Sequence, residues 1–452
     1  MKPRWTCWVV LAVASQGLYA AEDAAPSSEA PLSAQEMTAA VKAYVGASAD
    51  ERQQLLANWS GRAEIKPKEV SRWARAILAE ARKSGPKFKS SASMPKVEGA
   101  AAASGGQGGD LRGAPVAVVE TPAGPMRVAV LKDAGGRGKG TVIYLHGGGG
   151  SNGARDNEMT WGWGVSRTAM LSCASTRLLT RCLAKDDAAT NAWILPHEVQ
   201  SVSTVLDAYL RSTDADPDRI YLVGHSMGGY GAWVFASIEP DRYGAIVNVA
   251  GEAHRATYEN FCNVDFASFL GLKDHRAAKA KEGMDALAAL SAKQPGYYRS
   301  HWAPYPDKEH DIGAAQYKDI DGYLRPLKRT AYPRLVVWHP VAEWKTRFYN
   351  IGMARPSPGK TSVRAEMGQD NMVTVTSSGA DALTVYLNER LIDFEKDVAV
   401  VWNGKRVHAG RLSPCLDVML ETLADRCDSG MFYTAKVSLR AGMPEAPAAA
   451  AP

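Results

Sequence analysis

The chain has 452 residues, which is enough for two or three domains. Its 46% hydrophobic and 22% charged residues are typical of a globular protein with a sizeable core. The net charge of +5 is only mildly basic, and no run of lysine or arginine stands out. The composition therefore gives no support to nucleic-acid binding, and we expect no nucleic-acid partner.

The N-terminus has the pattern of a secretory signal peptide. Lys2 and Arg4 precede a short apolar run, and Ala20 fits the small-residue cleavage position. The apolar run is too short to span a bilayer. We therefore expect residues 1–20 to be a cleaved signal, the protein to be secreted or periplasmic, and no part of it to be stably inserted in a membrane.

Export bears on the cysteines, because an oxidising compartment favours disulfides. Of the six cysteines, five follow the predicted signal. The pairs closest in sequence are Cys173–Cys182 and Cys415–Cys427, and we predict disulfides there with Cys262 left free. Spacing alone does not fix the connectivity.

A small helical region is predicted over residues 32–84. Ser33 and Ser48 are each followed three residues later by a glutamate, which is the capping-box pattern of a helix start. This region is either a separate binding module or a helical extension packed on the main domain. Residues 85–113 are rich in Lys, Ser, Ala and Gly, and we predict a flexible linker there.

The next segment, residues 114–330, has the pattern of an α/β domain. Strands are predicted at residues 115–120, 126–131 and 141–145, and the third runs into His146 and four glycines. Residues 151–197 then form a long insertion.

The four glycines indicate an oxyanion hole. A tetrahedral intermediate of acyl transfer carries an oxyanion, which needs two preorganised backbone N–H groups. Missing side chains let the backbone of a glycine loop approach the substrate. We predict Gly148 as one donor, with Gly147 as the alternative. A nucleotide-phosphate loop is poorly supported, because no Gly-Lys-Ser/Thr follows.

The most informative stretch is residues 216–233, DPDRIYLVGHSMGGYGAW. An apolar run, Gly-x-Ser-x-Gly and a helix-forming segment follow one another, as in a nucleophile elbow. Gly224 and Gly228 are expected where a side chain would collide as strand and helix approach each other. We predict that Ser226 is the nucleophile and that the N–H of Met227 is the second oxyanion donor.

Two further residues complete a catalytic set. A strand is predicted at residues 266–270, and Asp274 follows its end, at the edge where open α/β sheets build their sites. His310 follows another strand-like segment. Serine needs a base to take its proton, neutral imidazole supplies one, and a carboxylate holds the imidazole tautomer. His301 is the rival base and Asp265 the weaker rival acid.

The long insertion carries Trp161 and Trp163, which either line the rim of a substrate site or fill the core. Residues 331–440 are predicted to form a β-rich accessory domain, with a hairpin turn at Asn403-Gly404 and a helix over residues 415–423. A disordered Ala/Pro tail is expected at residues 441–452.

Taken together, the motifs resemble the α/β-hydrolase superfamily, in its esterase and prolyl-oligopeptidase-like branch. The matching segments cover about half the chain and are residues 146–150, 218–233, 266–274 and 307–312. The chain looks similar to phospholipase/carboxylesterase and polyhydroxybutyrate-depolymerase-type enzymes. This resemblance implies an α/β-hydrolase fold, the order Ser226, Asp274, His310 in a triad, and hydrolysis of carboxylic esters. Relatives usually have glycine before the histidine, where Glu309 stands here.

The resulting prediction is a secreted or periplasmic serine esterase that acts on a small-molecule or polymeric ester. The alternatives are a prolyl-oligopeptidase-like peptidase, which the missing β-propeller disfavours, and a non-catalytic cell-envelope binding protein on the same fold. We expect no cofactor and no metal, since neither His-Glu-x-x-His nor paired Cys-x-x-Cys spacing occurs. The sequence predicts no oligomeric state.

Overall fold

The structure is a computed structural model that describes residues 30–84, 90–93, 115–123, 126–131, 140–145, 147, 168–175, 192–313 and 317–447. The predicted signal peptide, most of the predicted linker and the two tryptophans of the insertion lie outside these residues, and those expectations stay predictions.

The described helices are α1 (Ala34–Gly46), α2 (Ala49–Trp59), α3 (Val70–Ala81), α4 (Pro196–Ser212), α5 (Met227–Ile238), α6 (Ala277–Lys293), α7 (Tyr317–Leu324) and α8 (Leu416–Leu423). The first nine strands are β1 (Ser90–Ser93), β2 (Pro115–Val119), β3 (Met126–Leu131), β4 (Gly140–Leu145), β5 (Thr168–Ser175), β6 (Ile220–His225), β7 (Ala245–Val249), β8 (Asp265–Gly271) and β9 (Ser300–Tyr305). The remaining strands are β10 (Leu335–Trp338), β11 (Arg347–Phe348), β12 (Ile351–Gly352), β13 (Ser362–Met367), β14 (Met372–Ser378), β15 (Ala382–Leu387), β16 (Val398–Trp402), β17 (Lys405–Gly410) and β18 (Ala435–Arg440).

The first nine strands form one sheet in the order β1-β2-β3-β5-β4-β6-β7-β8-β9. The six strands from β5 through β4 to β9 in this order pair in parallel with one another. The pairs β1–β2, β2–β3 and β3–β5 are antiparallel. The central strands are apolar along their whole length because both faces are covered. In β4, Ile143 and Leu145 join the core cluster on one face, and Val142 and Tyr144 join the cluster on the other. This arrangement confirms the expected α/β-hydrolase fold.

The N-terminal helices are an extension of the main body. Both predicted capping boxes are present, at Ser33 and Ser48. The apolar face of α3, with Trp73 and Ile77, shares one core with α8 and with the large sheet. The chain segment before α8 is held to this region as well, since the N–H of Ile65 donates to the carbonyl of Pro414 (2.8 Å).

Strands β10 to β18 form two sheets that enclose a second core. The five-stranded sheet has the order β10-β13-β14-β16-β17, and the four-stranded sheet has the order β11-β12-β15-β18. Inward residues of both sheets, such as Val375 and Val385, belong to one cluster, as in a β-sandwich. The predicted hairpin turn is confirmed: Asn403 and Gly404 join β16 to β17 with φ values of 50° and 82°.

Some predictions about the flanks were wrong. Ser90–Ser93, inside the predicted flexible linker, form strand β1 and pair with β2. Strand β5 lies inside what the sequence presented as an insertion, and its mixed small and polar residues carried no strand signal. Residues 441–447, at the start of the expected disordered tail, lie against the sandwich, where the N–H of Ala446 donates to Arg406 (2.9 Å).

The predicted Cys415–Cys427 disulfide was also wrong, because both cysteines are free. Cys415 caps the start of α8 and Cys427 follows its end. An eight-residue helix separates them by about 12 Å, which exceeds the ~4.4–6.8 Å between the Cα atoms of a disulfide. Cys262 is free and buried, as expected. Cys182 lies outside the described residues, so its pairing with Cys173 stays a prediction.

Candidate active site

Ser226 occupies a strained turn between β6 and α5. Its φ of 54° and ψ of −111° lie where residues other than glycine are rarely found. The N–H of Ser226 donates to the carbonyl of Val249 (2.8 Å), which fixes the turn against β7. A strained serine at the carboxyl end of a parallel strand is the local geometry of a nucleophile elbow.

The glycines around Ser226 have the steric role that the sequence predicts. A Cβ on Gly224 would collide with the carbonyl of Gly228, one turn away in α5. A Cβ on Gly228 would collide with the carbonyl of Leu145, at the end of β4. The elbow therefore forms only where the backbones of β4, β6 and α5 can meet without side chains between them.

The structure brings the three predicted side chains together. His310 Nε2 lies 2.9 Å from Ser226 Oγ, and His310 Nδ1 lies 2.6 Å from Asp274 Oδ2. An ionised carboxylate can only accept, so Nδ1 carries the imidazole proton and Nε2 accepts from the serine hydroxyl. The resulting chain of hydrogen bonds runs from carboxylate to imidazole to hydroxyl.

Two loops at the carboxyl edge of the sheet place the acid and the base. Asp274 follows β8, and its side chain is fully buried. His310 follows β9, and the chain before it lies across the end of β8, where the N–H of Lys273 donates to the carbonyl of Lys308 (3.0 Å). A Cβ on Gly271 would collide with the carbonyls of Lys308 and Glu309.

The residue before His310 departs from the pattern that the sequence resemblance implies. Relatives usually have glycine directly before the histidine, and this chain has the exposed Glu309 there. The glycine at the close approach is Gly271, the last residue of β8. The two loops therefore still pack closely enough for Asp274 to reach His310.

The environment keeps the base neutral and the acid ionised. Burial lowers the pKa of the His310 imidazole. The neighbouring His225 and Arg276 lower this pKa further, while the hydrogen bond that His310 donates to Asp274 raises it. Burial alone would raise the pKa of the Asp274 carboxyl, but hydrogen bonds from His310 and from the Arg276 backbone bring that pKa below its ordinary value. At neutral pH the pair is therefore a carboxylate and a neutral imidazole.

The rival residues have other partners. The exposed His301 lies in β9, and its ring stacks on Tyr323 with centroids 5.1 Å apart. Both oxygens of Asp265 accept from Arg299 (3.0 and 2.9 Å), at the opposite end of β8 from Asp274. The structure therefore gives the hydrogen bonds of a triad to His310 and Asp274.

The predicted oxyanion donors are described in part. Met227 is buried and is the first residue of α5, so its N–H belongs to the unpaired start of a helix next to Ser226. Gly147 is buried two residues beyond Leu145, which contacts the elbow. Gly148, Trp161 and Trp163 lie outside the described residues and stay predictions.

Two residues near the site escaped the sequence interpretation. The guanidinium of Arg276 donates to Asp274 Oδ1 (3.1 Å) and to the Tyr230 hydroxyl (3.1 Å). In the sequence, Arg276 is marked only by its position two residues after Asp274, and Tyr230 only by its position four residues after Ser226. Trp193, at the end of the long insertion, is fully buried and fills the core against Gly231.

Within the described part of the chain, no group of three or more His, Cys, Asp or Glu side chains is arranged to hold a metal ion. The helices of the same residues include none that is both long and apolar enough to cross a membrane.

Known proteins resemble the chain only at the level of structure. No protein-family model matches the sequence, and no curated protein matches it. A thermostable esterase is 18% identical over 48% of this chain and 63% of its own, with a TM-score of 0.38. An esterase of Pyrobaculum calidifontis is 14% identical over 62% of this chain and 98% of its own, with a TM-score of 0.38. An acylaminoacyl peptidase of Pyrococcus horikoshii is 13% identical over 49% of this chain and 42% of its own, with a TM-score of 0.36. These values are low, and the fold assignment rests on the strand order and the elbow.

Proposed function

We propose that the protein is a serine hydrolase that cleaves carboxylic esters through an acyl-Ser226 intermediate. The observation that carries the proposal is the hydrogen-bonded chain from Asp274 through His310 to Ser226, with distances of 2.6 and 2.9 Å. The position of that chain, at the carboxyl edge of the sheet beside a helix N-terminus, suits acyl transfer.

The acylation step follows from the geometry. As Ser226 Oγ attacks the ester carbonyl carbon, its proton moves to His310 Nε2 and the carbonyl electrons move onto the oxygen. The N–H groups of Met227 and of the glycine loop stabilise that oxyanion. The intermediate collapses, the alcohol leaves with the proton from His310, and the acyl group stays on Ser226.

Deacylation repeats the sequence with water. His310 takes a proton from the attacking water, whose oxygen forms the new bond to the acyl carbon. The carboxylic acid leaves, and Ser226 Oγ recovers the proton from His310. Asp274 stays ionised throughout and stabilises the imidazolium that forms in each step.

We further propose a small-molecule or polymeric ester as substrate, and a secreted or periplasmic location based on the N-terminal pattern. A peptide bond could be cleaved by the same residues, so the test must include one. The test measures the rates of hydrolysis of short p-nitrophenyl esters and of a proline-containing peptide p-nitroanilide.

Ser226→Ala should abolish ester hydrolysis, because it removes the hydroxyl that attacks the carbonyl carbon. Ser362→Ala, on strand β13 of the sandwich, is the matched control and should keep wild-type rates. If the protein cleaves the peptide substrate but not the esters, the peptidase alternative replaces the esterase proposal. Wild-type protein that cleaves neither substrate would contradict the proposed function.

A further inference from the structure

The carboxylate of Asp274 has two oxygens, and only one faces the base. Oδ2 lies 2.6 Å from His310 Nδ1. Oδ1 accepts from the backbone N–H of Arg276 (3.1 Å) and from the Nη1 group of the same residue (3.1 Å). The exposed ring of His275 also lies near Oδ1, with its Nδ1 at 3.4 Å. Since the carboxylate is fully buried, its rotamer is set by these neighbours and not by solvent.

Arg276 is itself anchored to the helix that follows the nucleophile. Its Nε group donates to the hydroxyl of Tyr230 (3.1 Å), and its guanidinium carbon lies 6.0 Å from the centre of the same ring. Tyr230 lies in the first turn of α5, where its N–H donates to the carbonyl of Ser226 (3.1 Å). One side chain thus connects the loop of the acid to the helix of the nucleophile.

The same guanidinium also faces the base. Arg276 Nη1 lies 3.2 Å from His310 Nδ1. When Nδ1 carries the proton shared with Asp274, both groups are donors, so the contact is that of a cation beside an imidazole. The ring of His225, 5.3 Å from that of His310, and the Asp274 carboxylate are the other titratable groups facing the base.

We propose that Arg276 is a positioning residue for the triad: it holds Asp274 in the rotamer that faces His310 and ties that pair to the helix of Ser226. The inference rests on the proposed function, in which Asp274 orients the base. A planar guanidinium fits this role because it donates in two directions at fixed angles, which an ammonium does not. The side chain is only 19% exposed, so solvent competes weakly for its donors.

The test follows His310 directly and so does not depend on turnover. Protein labelled with ¹⁵N-histidine is titrated by NMR, with the His310 signals assigned from their absence in His310→Gln. Loss of the orientation of Asp274 in Arg276→Gln should weaken the Nδ1–H signal of His310, which reports its hydrogen bond to Asp274. Removal of the cation alone should move the His310 midpoint upward, because a nearby positive charge disfavours the imidazolium. Arg276→Lys should keep the wild-type midpoint, and it replaces the glutamine variant if that variant does not fold.

Ester hydrolysis supplies the second readout. Arg276→Gln should lower kcat about 10- to 100-fold with little change in KM, as expected when orientation rather than binding is lost. Arg276→Lys should recover only part of kcat, and Tyr230→Phe should lower kcat without moving the midpoint. Lys279→Gln is the matched control, because this exposed cation pairs with Glu252 at 3.7 Å and should change neither readout.

An unchanged Nδ1–H signal of His310 together with an unchanged kcat in Arg276→Gln would overturn the proposal. An effect confined to KM would make Arg276 a substrate-binding residue and would overturn it as well. If the wild-type protein hydrolyses no ester, the proposed function fails while the Nδ1–H signal of His310 still decides whether Arg276 positions the pair.

Discussion

The imidazole of His310 lies between a carboxylate that can only accept and a hydroxyl that can donate. Its Nδ1 is 2.6 Å from Asp274 and its Nε2 is 2.9 Å from Ser226. This pairing places the lone pair of Nε2 on the serine, which is the arrangement a general base requires. The hydrogen bonds of these three side chains thus set the direction of proton transfer in the site.

The pH dependence of turnover follows from the direction of the His310 pKa. Burial lowers that pKa below the ordinary value of about 6.5 for histidine. Since the base must be neutral, activity is present above the folded-state pKa and is lost as the pH falls through it. We expect the acidic limb of the kcat/KM profile to have its midpoint below about pH 6.5. A midpoint at or above that value would contradict the assignment.

The identity of the base can be tested with two histidines that are nine residues apart. His310→Ala should lower kcat/KM by about 10³- to 10⁴-fold, because the serine loses its proton acceptor. His301→Ala should keep most of the activity, since its ring stacks on Tyr323. Steady-state ester hydrolysis measures both. The reverse pattern would give the role of base to His301.

At the scale of elements, the site is made by loops at one edge of the sheet. Each predicted triad residue follows a strand that the sequence pattern predicts. Strand β6 precedes Ser226, β8 precedes Asp274 and β9 precedes His310. Parallel strands end at the same edge, so their order along the chain was enough to predict the set. The distances depend on loop packing, which no local pattern encodes.

Other features lay beyond local patterns for physical reasons. Arg276 acquires its place only when the β8 loop meets α5, and an arginine near a helix start carries no signal for that contact. Strand β5 has mixed small and polar residues, so its pairing with β3 and β4 is imposed by the sheet. The hairpin turn at Asn403-Gly404, in contrast, was predictable because its two positive φ angles demand those residue types.

The contact between the end of β8 and the loop that carries His310 can be tested at Gly271. In Gly271→Ala the new methyl group must displace the carbonyls of Lys308 or Glu309, and with them the loop of His310. We expect kcat/KM to fall about 100-fold, as for other small displacements of a catalytic group. Gly322→Ala in α7 is the control, because a Cβ there meets nothing within 4 Å. Equal rates for both variants would show that the close approach does not matter.

At the scale of the whole molecule, the terminal regions and the catalytic region share buried contacts. Helix α8 packs with α3 and with the large sheet in one core cluster. Buried ion pairs add to this: Arg329 pairs with Asp218 before β6 and with Asp428 after α8. The N-terminal helices and the segments that flank the sandwich therefore share buried contacts with the body that carries the site.

The buried pair of Arg329 and Asp428 offers a stability prediction. Both side chains are almost fully buried, with distances of 2.6 and 2.8 Å. Asp428→Ala would leave the buried guanidinium with Asp218 and the carbonyl of Asp241 as its remaining partners. We expect the free energy of unfolding to fall by about 3 kcal/mol, the lower end for the loss of one member of a buried pair. Urea denaturation measures the change.

The control for that experiment is an exposed ion pair of similar length. Lys281 and Asp285 lie 2.6 Å apart on α6 with side chains 48% and 62% exposed. Asp285→Ala should lower the free energy of unfolding by no more than about 0.5 kcal/mol, because water screens the pair. A loss in Asp428→Ala no larger than this would mean that the buried pair does not hold the two regions together.

Covalent labelling tests whether Ser226 is a nucleophile that His310 activates. Protein treated with a fluorophosphonate is digested, and the modified residue is located by peptide mass spectrometry. We expect one adduct, on Ser226. This adduct should be absent from Ser226→Ala and should form far more slowly in His310→Ala. An adduct on another residue, or labelling of Ser226 at the same rate without His310, would contradict it.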